Sequence, residues 1–175
     1  MIEDVMRRAI AKKLACGGAR PTPSPEPAQP LGKGVPTMKP GVHRKFSPML
    51  RARFERHGRW QRATHGTWLS LADMEARWSD DLADRFLSEV RLQVDALKED
   101  WPNHALALFK EERLSLFAAS DLNNEAMLLL WLDFEAEPEV WVYDANGESR
   151  YRNLEAYLDA YLADDVSAAQ RSWRA

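Results

Sequence analysis

Four carboxylates stand at alternate positions in the stretch "LDFEAEPEV": Asp133, Glu135, Glu137 and Glu139. On a strand that spacing would put all four on one face. A carboxylate pair there could work as acid and base if burial raised one pKa above the other. Pro138 interrupts the run, so the stretch reads as a turn whose acids are solvated. The four histidines, His43, His57, His65 and His104, fit neither HExxH nor HxE, and the chain has no CxxC, so no metal set is legible. Cys16 is the one cysteine; it has no positioned base beside it and no partner for an internal disulfide, which fits a reducing compartment. "ACGGA" lacks the preceding strand and following helix that a phosphate-cradling loop requires. The expectation is a protein that binds, with no catalytic residue, no cofactor and no metal.

Charge says what kind of surface it would bind with. The net charge of −3 hides a strong asymmetry. Residues 1–38 carry six Lys/Arg against three Asp/Glu, and residues 39–65 carry eight against Glu55 alone. Residues 66–175 carry ten against twenty-three. An acidic body behind a basic collar repels nucleic acid and attracts basic proteins. No apolar run long enough for a secretory signal or a membrane span occurs, so a cytoplasmic protein with no membrane partner is expected.

The elements that must position these groups follow from periodicity. Ile2, Val5, Met6, Ala9, Ile10 and Leu14 predict a short amphipathic helix within residues 1–16. Seven of the ten prolines fall between Pro21 and Pro40, so residues 17–46 read as an extended Pro-rich linker without an ordered core. Residues 47–65 form a basic helical collar, opened by Ser47 and Pro48 as cap and first turn. Its Arg51, Arg53, Arg56 and Arg59, with Trp60 and two histidines, suit phosphate and stacking contacts. The preferred reading is the plainer one, that the collar packs on the acidic body of its own chain.

In residues 66–163, "SLADMEARW" is a capping box in which Ser70 and Asp73 satisfy each other's ends of a helix. The apolar spacing continues to Leu97, as one long helix or two broken near Ser79–Asp81, and Trp101–Pro102 ends it. "RLSLFAAS" alternates as a half-buried strand, "DLNNE" turns, and "AMLLLWLDF" is apolar enough for a central strand covered on both faces, with a buried helix the alternative that periodicity leaves open; either way Leu128, Leu130 and Leu132 belong to the core. "EVWVYD" is a strand and "DANG" a turn. "NLEAYLDAYL" is a helix capped by Asn153, and residues 164–175 form a tail.

The order helix, strand, strand, strand, helix resembles the SUKH superfamily, which includes fungal cell-wall-synthesis regulators and bacterial immunity proteins. The resemblance runs from Thr67 to about Leu162. "WLSLADMEARW" is similar to the family's "LxSLEEM…W" helix entry, and "LSLFAAS-DLNNEAMLLLWLDF" to its strand–"D.gNyLclD" core. "EVWVYDANGE" is similar to its "g.Vyyyd" strand and turn, and "NLEAYLDAYL" to its closing helix. Members typically open with a helix pair carrying "LPxdY..FL…NGG"; this chain departs from that pattern, and residues 47–66, ending in "HG", are the candidate replacement.

The resemblance implies an α+β fold, an antiparallel sheet packed against helices, and a non-catalytic immunity protein that binds a cognate toxin such as a nuclease or deaminase. An acidic plug would match a basic toxin cleft, and aromatics would supply buried anchors. The candidate toxin contacts are Trp131, Glu135, Glu137, Glu139, Trp141, Tyr143 and Asp144. Two alternatives stay open. One is a regulatory scaffold of the same fold binding a cellular protein; the other is nucleic-acid binding through Arg51, Arg53, Arg56 and Arg59.

Overall fold

The computed structural model describes residues 1–16, 22–76, 84–99, 110–120, 125–144 and 147–165, with the backbone alone at 93–99, 144 and 147. The expected turns at 121–124 and 145–146, the helix break near 79–81, the Trp101–Pro102 stop, His104 and most of the C-terminal tail lie outside the described residues.

The chain is a mixed helix-and-sheet protein built on one five-stranded antiparallel sheet of strand order β3-β4-β5-β6-β7. These strands are β3 (Thr67–Trp68), β4 (Leu114–Ala119), β5 (Ala126–Leu130), β6 (Glu139–Asp144) and β7 (Gly147–Tyr151). Every residue of β4 and β5 is buried, so β5 is a central strand covered on both faces, as its unbroken apolar run predicts. The expectation of a half-buried β4 is corrected: Ser115 and Phe117, which look like the outer face in sequence, are also covered. Leu128 pairs with Leu116 and Trp141, and Leu129 with Ser115 and Val140, which fixes the two faces. Leu128 and Leu130 are core; Leu132 lies beyond the strand and is half-buried.

Strand β7 has no counterpart in the sequence reading, because "GESRY" carries the polar composition of an edge and lacks an apolar signal. Strand β3 is too short to show periodicity. It is held by position: a Cβ on Gly66, at φ +71°, would sit 2.3 Å from the Ala119 carbonyl oxygen, so glycine lets β3 close on β4.

Five α-helices frame the sheet among the described residues: α1 (Ile2–Ala15), α2 (Pro48–Arg56), α3 (Leu71–Ala76), α4 (Arg85–Glu99) and α5 (Leu154–Leu162). The expected caps hold α3 and α5. Ser70 Oγ accepts the Asp73 N–H at 3.1 Å while Asp73 accepts the Ser70 N–H at 2.9 Å, and Asn153 accepts the Ala156 N–H at 2.9 Å. Phe54 of α2, Trp68, Phe117, Tyr151 and Tyr157 of α5 form a chain of ring contacts beneath the sheet. Helix α1 docks on α5 and α2 with Ile2, Val5, Met6 and Ala9 buried. Its Lys12 donates to the Tyr161 and Leu162 carbonyls at the open end of α5, at 2.9 and 3.2 Å.

The Pro-rich segment was expected to lack an ordered core, and here the structure differs. Strands β1 (Val35–Pro36) and β2 (His43–Arg44) make a small hairpin, and Val35 and Met38 are fully buried. The Met38 N–H donates to the Leu114 carbonyl at 2.7 Å; upstream, the Glu26 N–H donates to the Arg59 carbonyl and the Glu26 carbonyl accepts from the Gly58 N–H, both at 2.8 Å. Gly58 permits that approach, since a Cβ there would meet the Pro27 carbonyl at 2.5 Å. Val35 and Met38, with Leu31 and Phe46 packed against the core and a few backbone bonds, dock a segment whose composition reads as linker. The collar also differs. Its helix covers only Pro48–Arg56, and Trp60 then bridges Trp68 as extended backbone.

Candidate functional site

The acids of the quoted turn sit on the loop joining β5 to β6, residues 131–138. The loop is fastened at its start, middle and end. Trp131 donates its backbone N–H to the Arg113 carbonyl and its indole N–H to Ser115 Oγ, both at 2.9 Å. Asp133 accepts from Arg113 at 2.8 Å and Arg44 at 3.3 Å. The Glu135 N–H donates to the Leu132 carbonyl at 3.1 Å and closes a turn with Phe134 at its tip, 82% exposed.

Glu137 reaches back to helix α2. Its carboxylate accepts the Met49 N–H at 2.9 Å, while Ser47 Oγ accepts the Leu50 N–H at 3.4 Å. Pro48 has no N–H to offer, so the first three positions of α2 leave no open donor, and the negative charge sits at the positive end of the helix. Glu139 opens β6 and accepts from the Trp141 indole at 3.0 Å and from Arg150 at 2.7 Å. The Arg150 guanidinium lies 4.3 Å from the centre of the Trp141 ring, a cation–π stack that covers the indole.

These contacts correct the expectation of solvated acids. Three of the four carboxylates hold internal donors. Glu135 is the one with no partner among the described residues, and it is exposed. Two of the aromatic candidates are corrected too. Trp131 is buried beneath the loop and Trp141 beneath Arg150, while Tyr143 is half-buried opposite Glu148. Asp144 ends β6, paired with Gly147; its side chain is outside the described atoms. Sequence reasoning missed Phe134. A phenylalanine between two acids in a turn was the available signal.

The basic collar is largely neutralised by its own chain. Arg51 pairs with Glu55 at 3.3 Å, Arg56 with Glu3 at 2.8 Å, and Arg59 with Asp73 and, at 2.9 Å, Asp84. These two carboxylates hold the Arg59 guanidinium above its ordinary pKa, and Arg59 in turn holds Asp84 below the usual carboxylate range. Arg53 is corrected outright as a phosphate contact. It is fully buried, lies 4.3 Å from the Phe54 ring centre, and donates to the His57, Gly58 and Leu69 carbonyls. Burial pulls its guanidinium down to about 9, leaving it charged at neutral pH.

The histidines are dispersed. His43 meets Glu75 at 3.0 Å, His65 Nδ1 lies 2.9 Å from the Tyr157 hydroxyl in the core, and His57 is half-buried beside Arg53 and Arg56. Burial first, and then those two cations, lower the His57 pKa, while burial raises that of Tyr157. Among the described residues no three His, Cys, Asp or Glu side chains converge as a metal set, and no helix is long and apolar enough to cross a membrane.

Fold and site together define an antiparallel α+β protein with a fastened acidic loop. No family model, curated protein or solved structure matches the chain.

Proposed function

We propose that the chain is a non-catalytic immunity protein of the SUKH type, one that binds a basic cognate toxin and blocks it. The observation that carries the reading is the distribution of charge. Acids exceed bases by thirteen in residues 66–175, and the collar that could have served nucleic acid is tied into ion pairs and buried carbonyl contacts. Residues 133–136 of the β5–β6 loop face solvent, among them Asp133, Glu135 and the Phe134 ring. An acidic surface of this kind speeds encounter with a basic cleft and fixes its register. A nuclease or deaminase, built to hold nucleic acid, presents such a cleft.

The test is titration calorimetry of the purified chain with the domain encoded by the adjoining gene, which the reading requires to be a toxin, run beside a 20-nucleotide DNA and RNA control. The reading expects saturable one-to-one binding to the toxin domain that weakens with salt, and none to the nucleic acids. Binding to the nucleic acids with a steep salt slope, and none to the toxin domain, overturns it.

A further inference from the structure

Phe134 is unexplained by the fold. It is 82% exposed and makes no ring contact among the described residues, so it adds nothing visible to the core. A single exposed aromatic needs no explanation by itself. This one stands on a turn fastened from both sides. Arg44 and Arg113 clamp Asp133 just before it, the Glu135 N–H closes the turn just after it, and Glu137 is tied to α2.

We propose that Phe134 is the anchor of the partner interface and enters an apolar pocket rimmed by lysine or arginine side chains. This rests on the protein-binding reading above and names the surface that reading requires. Charge complementarity supplies the argument for the rim. Both acids flanking the ring are exposed, but Asp133 is matched by two guanidinium groups, whereas Glu135 has no partner among the described residues. One negative charge therefore stands beside the ring, and the ring face itself attracts cations. The fastened turn needs little ordering on docking, which is where a rigid aromatic gains over a flexible aliphatic. The two residues have separable roles: the phenyl ring slows dissociation, and Glu135 speeds approach.

The experiment is biolayer interferometry of the full chain against the immobilised toxin domain of the adjoining gene, for wild type, Phe134→Ala, Phe134→Leu and Glu135→Lys. Phe134→Ala should weaken binding at least about 30-fold, mostly through faster dissociation, with an unchanged thermal midpoint. Phe134→Leu should recover part of the loss, and Glu135→Lys should lower the association rate more than it raises dissociation. If wild type binds and Phe134→Ala binds within about threefold of it, the anchor is wrong while the immunity reading stands. If wild type does not bind the toxin domain, the reading falls and the anchor falls with it.

Discussion

Glu135 and Glu137 are two residues apart and of one type, yet the structure assigns them different physics. Glu135 is solvated, so reversing its charge should leave stability within about 0.5 kcal/mol. Glu137→Lys removes an acceptor from the first turn of α2 and places a cation at the positive end of that helix. It should cost about 1–2 kcal/mol, read by urea denaturation of both variants. Equal stability of the two would show that the loop does not cap α2. His57 carries a second prediction at this scale. Its lowered pKa means that the unfolded chain binds a proton that the folded chain resists. Stability from this residue is present above the unfolded value, about 6.5, and is lost as pH falls through the folded value. Urea midpoints measured between pH 7.5 and 5 should fall, and His57→Gln should flatten that fall; an identical slope in the variant would remove His57 from the account.

Among the elements, those with strong periodicity or chemical caps were legible, and those held by single tertiary contacts were not. Ser47–Pro48, the Ser70/Asp73 box and Asn153 mark helix starts because the capping chemistry is local. Strands β5 and β6 show in their apolar and β-branched runs. Strand β7 and the β1–β2 hairpin do not, since their pairing is decided by neighbours distant in sequence. The same limit applied at the site. The alternation of Asp133, Glu135, Glu137 and Glu139 was visible, but their donors Arg44, Arg113, Arg150 and the Met49 N–H come from four other segments. Two substitutions test the elements. Leu130→Ala in the covered central strand should cost about 2–5 kcal/mol. Met38→Ala should cost a similar amount, because Met38 is as buried as the sheet core. A neutral Met38→Ala would return the Pro-rich segment to the role of a linker.

At the scale of the whole molecule, an acidic α+β body with a fastened loop is proposed to neutralise a basic toxin. The basic collar joins that body through Arg59 to Asp73 and Asp84, and α1 joins it through Lys12 at the end of α5 and Glu3 on Arg56. Arg51, Arg56 and Arg59 are thereby each matched by a carboxylate of their own chain. The most direct measurement is growth of cells co-expressing the full chain with the toxin domain encoded beside it. Wild type should restore growth, and Glu135→Lys combined with Phe134→Ala should fail to do so while remaining folded and equally abundant. Undiminished killing in the presence of wild-type protein would contradict the account.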